Sequence, residues 1–235
     1  MIMPSDKVYK VTKQILLGKK EMKLEFKPLA AWIDNTYGVK TISIFYDTID
    51  KGIRPRLEIC FEYASEKDLF MGLDKCSFDT EKQKAIGKKF EEILIQQGLI
   101  KGTGLVGLFK RQIPSKYKTE DIWVIYGSFE SIAKIEANES IPEGKVTALK
   151  EELNNQDIWE ISRAFAGTTV FLYTDEQVKK YTNSEEHNRW SLKYFDLLSE
   201  YDEFKYFKRE FFSVTIDSKE NFDNNYQSNW FYYYK

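Results

Sequence analysis

Two stretches alternate hydrophobic and polar residues with a period of two, residues 41–47 and 57–63, on either side of Asp50-Lys51-Gly52. Alternation flanking a glycine-containing turn predicts a β-hairpin across 41–63. Residues 8–17 (Tyr9, Val11 and Ile15 spaced by polar residues) alternate more loosely and 22–26 cleanly; both read as strands, the second stopping at Pro28. The period then changes. Ile86, Phe90, Ile93 and Leu94 recur at i, i+4, i+7 and i+8 and predict a helix over 80–97, with Thr80 and Gln83 as a capping box and Gly98 at its end.

In the second half, residues 122–126 and 169–173 read as short buried strands. Val146, Leu149 and Leu153, followed by Ile158, Ile161 and Phe165, trace a helical stripe with a break at Asn154-Asn155. Thr174 with Gln177 opens a short helix, and Asn183 or Ser184 opens a longer one whose apolar face carries Trp190, Tyr194, Leu197, Leu198 and Tyr201. Residues 211–216 and 230–234 read as a closing strand pair, with turn chemistry from Asp217 to Ser228 between them. No internal repeat is legible. The expected class is α+β: antiparallel sheets with helices packed on them, a strand-rich N-terminal half, and a C-terminal half that alternates strand with helix and ends in an aromatic strand. The Gly- and Pro-containing stretch at 99–119 places a boundary near 115, giving units 1–114 and 115–235 that also suit subdomains of one globule.

Length and composition are those of a folded chain: 235 residues, 42% hydrophobic and 31% charged. No run approaches the roughly 20 apolar residues of a membrane span, and residues 1–6 lack a secretory pattern. Two cysteines are too few for a disulfide scaffold, so a reducing cytoplasm is the expected location and no membrane partner is expected. A net charge of −2 conceals a polarity, because residues 1–118 hold 22 basic against 15 acidic side chains and the remainder 13 against 22. Such polarity marks either an interaction surface or two halves that neutralise each other.

Candidate chemistry is sparse. Gly102, Gly104 and Gly107 spell G-x-G-x-x-G, but a helix precedes them and Pro114 follows too soon for the helix a dinucleotide site requires, so no cofactor is expected. The same segment, 101–118, holds Lys110, Arg111, Lys116 and Lys118 beside Tyr117, a set suited to a phosphate or a nucleic acid. Asp47 and Glu58 fall on one face of the hairpin, as carboxylates of a Mg²⁺-dependent nuclease would; Glu58 and Glu62, about 13 Å apart along a strand, are too distant to share an ion. Asn221 to Asn225 resembles the start of a calcium loop, but Tyr226 and Tyr232 stand where glycine and glutamate belong, and no metal site is expected. His187 is the only histidine and reads as a surface helix residue.

Aromatic residues concentrate at the C-terminal end, 16 in the last 46 positions. On a strand, Trp230, Tyr232 and Tyr234 would share one face, with Tyr226 nearby, either buried in a sheet or exposed as a recognition patch. The favoured expectation is a non-catalytic cytoplasmic binding protein that grips a protein partner with its acidic, aromatic half, as an adaptor or a toxin-neutralising immunity protein does. The alternative is a nucleic-acid or phosphate ligand on segment 101–118, with metal-dependent cleavage as its extension.

Overall fold

The computed structural model describes residues 3–101 and 116–235. The chain is α+β and divides into two compact units, Met1–Glu130 and Ser131–Lys235. The sequence boundary at 114/115 lies outside the described residues; the division into compact units falls later, within a helix.

In the first unit, α1 (Lys7–Leu16) and α2 (Lys27–Tyr37) precede β1 (Thr41–Ile49) and β2 (Arg54–Phe61). The hairpin turn places Asp50, Lys51 and Gly52 at positive φ, which Asp and Gly tolerate well. Then follow α3 (Ala64–Asp68), α4 (Thr80–Gln96) and β3 (Trp123–Ser128), which pairs with β2 in parallel. Leu57, Ile59, Phe61, Val124 and Tyr126 form one sheet face and bury against α2 and α4 through Leu29, Ile33, Ile86, Phe90 and Leu94. Gly87 brings α4 close to the segment entering β3, where an added Cβ would lie 2.9 Å from the Ile122 side chain.

The second unit repeats this connectivity. Helices α5 (Phe129–Ser140, which spans the division) and α6 (Glu143–Leu153) lead to β4 (Ile158–Ala164) and β5 (Gly167–Leu172). After α7 (Asp175–Tyr181) and α8 (Glu185–Ser199), β6 (Thr215–Ser218) joins β5 in parallel, and α9 (Lys219–Tyr226) and α10 (Trp230–Tyr233) end the chain. The sheet orders correspond, β1-β2-β3 and β4-β5-β6. So do details that connectivity alone does not demand. Each hairpin has one extra residue at the same place, Ile42 between Thr41↔Phe61 and Ser43↔Cys60, and Trp159 between Ile158↔Leu172 and Glu160↔Phe171. Both α2 and α6 end on a left-handed residue, Gly38 and Asn154. The corner where the last strand of each sheet becomes a helix is also the same. Glu130 N–H donates to Glu62 O (2.9 Å), and its carboxylate accepts from the first amide of α3, Ala64 (3.0 Å). Glu220 N–H donates to Tyr173 O (3.2 Å), and its carboxylate accepts from the first amide of α7, Asp175 (3.1 Å). The two units therefore share one topology, where the sequence showed no repeat.

Several local expectations are corrected. Residues 8–17 fall largely in a helix, which buries Tyr9 and Thr12, three apart, on one side. Residues 24–26 form a single 3₁₀ turn, and Pro28 sits in the first turn of α2, where its missing N–H costs nothing. Ile158 and Ile161 lie in β4, not in a continued helix. The α4 cap is Asp79, accepting from Glu81 and Lys82 amides, one residue before the expected Thr80. Asp217 to Ser228 contains α9, capped by Ser218 Oγ, and the closing residues form α10, capped by Asn229. The expected closing hairpin gives way to a parallel β5–β6 pair, covered by helix.

Candidate functional site

Strand β5 sends Val170 and Leu172 into the second core with Ile161, Trp190, Tyr194 and Leu198, and Phe171 to the opposite face. That opposite face is closed by the C-terminal residues. Asn229 Oδ1 accepts the Phe231 N–H and starts a four-residue helix. Helical spacing turns Trp230, Tyr233 and Tyr234 toward the sheet. Trp230 stacks on Trp159 (centroids 6.0 Å apart, 7° between planes), meets Phe171 edge-on at 5.2 Å, and lies 4.2 Å from Phe222 of α9. Tyr233 OH donates to Asp217 (2.6 Å), and Tyr234 OH to Ser162 Oγ (2.7 Å). Burial and the Asp217 carboxylate together hold the Tyr233 phenol well above its usual range, so it stays a donor.

The candidate partner residues therefore separate. Trp230 and Tyr234 are part of the sheet cover, and Tyr226 is half-buried against Tyr233 at 4.9 Å. Tyr232 faces solvent, 48% exposed, with Phe231 beside it, 67% exposed. On a helix Tyr232 does not share a face with Trp230 and Tyr234 as it would on a strand. Sequence pattern missed Phe231; its place two residues after an Asn cap was the available signal.

Alongside this cover runs a groove of about 400 Å³, lined by residues 160–165 of β4 and the turn after it, Glu139 and Glu143 from the α5–α6 corner, and Trp230. Arg163 closes one end: its guanidinium donates to the carbonyls of Asn138 (2.9 Å) and Ile141 (2.7 Å) and to Glu143 (2.7 Å). Among the described residues, Glu139 and Glu160 have no ion-pair partner.

The carboxylates of the first hairpin do not converge on an ion. Asp47 takes a two-pronged bond from Arg56 (2.9 and 2.6 Å), while Glu58 is 5% exposed, with Oε1 buried and unpaired. Burial raises the Glu58 carboxyl above its ordinary value against the opposing pull of Arg56. Beside it Thr12 Oγ1 and Ser43 Oγ share a hydrogen bond (2.7 Å) over the buried Cys60 thiol. No group of three His, Cys, Asp or Glu side chains suited to a metal occurs among the described residues.

Of the basic segment, Lys110 and Arg111 lie outside the described residues, as does the glycine motif at 102–107. Tyr117 is buried and donates to Glu25 (2.8 Å), Lys116 approaches the same carboxylate at 3.7 Å, and Lys118 Nζ reaches Gly52 O at 3.4 Å. A buried Tyr117 offers no ring for a base to stack on. His187 is half-buried, its Nε2 2.8 Å from Val214 O, so it ties α8 to the segment before β6 instead of lying free on the surface. No helix among the described residues is long and apolar enough to cross a membrane. No protein-family model, curated protein or solved structure matches the chain.

Proposed function

We propose that the chain is a non-catalytic binding protein whose second unit engages a protein partner, in the manner of an adaptor or a toxin-neutralising immunity protein, in the cytoplasm. One observation carries the reading. Phe231 and Tyr232 project from a short helix that Trp230, Tyr233 and Tyr234 pin to the sheet. Aromatics fixed in this way lose little conformational freedom on contact, and such residues dominate interface energetics. The second unit holds 13 basic against 19 acidic residues, a field that favours a basic partner.

The test is affinity capture from the native host with wild type and with a Phe231→Ser/Tyr232→Ser double variant. We expect a protein retained by wild type and lost by the variant, with circular dichroism and thermal midpoint unchanged. Equal retention by both, or no retained protein, overturns the reading. Trp230→Ala is the structural control: it opens the cover over Phe171 and should cost about 2–3 kcal/mol in urea denaturation, below a full core tryptophan because the ring is partly exposed.

A further inference from the structure

Strand β4 is an edge. The order β4-β5-β6 gives it one strand neighbour, and among the described residues no strand pairs with its other side. An open edge is a template on which an extended chain can add. Here the edge coincides with the groove, whose lining runs without interruption from Glu160 to Phe165. The five strand residues of this lining, Glu160 to Ala164, span about 17 Å, room for a short extended segment.

Side chains reach this backbone in place of a strand: Ile161 N–H donates to the Glu160 carboxylate (3.1 Å), and the Lys150 ammonium donates to Trp159 O. The charges around the edge select what can add. Glu139, Glu143 and Glu160 line it, and the cations nearest it are already engaged, Arg163 by two carbonyls and Glu143 and Lys150 by Trp159 O. An acidic or neutral strand would leave Glu139 and Glu160 uncompensated. A strand carrying lysine or arginine would pair with them and lay its aliphatic stems along Trp230.

We propose that the β4 groove is a docking site for an extended basic segment of a protein partner, added to the sheet edge as a fourth strand. This rests on the reading that a partner engages the second unit, and it names the chemistry of that partner. The segment displaces Glu160 from the Ile161 amide and supplies a backbone carbonyl in its place. Phe231 and Tyr232 then contact the body from which the segment extends.

The probe is an eight-residue peptide alternating lysine with threonine, titrated by calorimetry. Three comparisons accompany it: the same peptide with glutamate for lysine, the lysine peptide N-methylated at alternate residues, and the Glu139→Lys/Glu160→Lys protein. We expect saturable binding below about 1 mM, at least tenfold weaker in each comparison, and weaker in high salt. Glu160→Gln keeps the side-chain shape and should lower affinity about threefold, which guards against a misfolded double variant. Absence of binding overturns the proposal. So does indifference to N-methylation, which would mean adsorption without strand pairing, or a solution dimer that the peptide does not dissociate, which would mean a second copy holds the edge. A captured partner lost with Phe231→Ser/Tyr232→Ser, together with no peptide binding, sinks the groove and leaves the broader reading. Peptide binding with no captured partner does the reverse.

Discussion

Glu58 and Cys60 share the outer face of the first sheet, and burial sets the chemistry of both. The Cys60 thiol is pushed up to about 12, mainly by loss of water and then by the nearby Glu58 carboxyl. It is therefore a protonated, inert thiol at neutral pH, whereas Cys76 is exposed. Iodoacetamide at pH 8 should label one thiol in the native protein and two in urea, read by mass spectrometry. Native labelling of Cys60 would contradict its burial. Glu58 bears on stability. Its carboxyl is raised first by burial, then moved by Arg56 (down) and by Asp47 and Asp6 (up). The folded chain thus holds the proton more tightly than the unfolded one, whose value is about 4.3. The stability this confers is complete below that value and is lost as pH rises through the folded value. Glu58→Gln fixes a neutral side chain, so urea denaturation from pH 4 to 8 should show the variant gaining on wild type toward neutral pH. A constant difference would mean Glu58 ionises as freely in the fold as out of it. Sequence pattern placed Glu58 correctly on the face opposite Ile59 and Phe61. It could not show that α1 covers that face, because α1 itself read as a strand.

At the scale of elements, the hairpin, α4, β3, β5, α7 and α8 were legible because local signals agreed: alternation with a Gly turn, a strong helical stripe, and capping residues that in α7 form the expected reciprocal pair, Thr174 with Gln177. The misread segments are those where signals conflict. Val8, Tyr9, Val11 and Thr12 are good strand formers, yet tertiary packing of Tyr9 on Phe129 (5.0 Å, stacked) and of Thr12 on Ser43 makes them helix. Trp230 to Tyr234 likewise have strand propensity, and only the Asn229 cap betrays the helix. The corner glutamates were invisible, since each acts on a helix far away in sequence. Each carboxylate meets an N-terminal amide, where the helix dipole also favours negative charge. Glu130→Ala and Glu220→Ala should each cost about 1 kcal/mol in denaturation, and the glutamines less, since the amide oxygen still accepts. A null effect at either position would remove the shared corner as a stabilising device.

Across the whole molecule, the shared topology escaped the sequence because equivalent strand positions carry unlike residues. Matching the two registers aligns Ser43 with Glu160, Glu58 with Thr169 and Cys60 with Phe171. Each sheet covers its outer face by different means. In the first unit α1 lies over small and polar residues such as Ser43. In the second, α9 and α10 lie over Phe171. Helix order and bulge position are common to both units, while the side chains around them differ. The C-terminal aromatic cluster thus belongs to the second unit, and the candidate binding features lie where its outer face differs from that of the first.

Two short stretches nonetheless stay alike, Ser128-Phe129-Glu130 and Ser218-Lys219-Glu220, each the bend where a strand turns into a helix and reaches back to fasten another. What the two units hold in common is thus a joint, set between panels of different material.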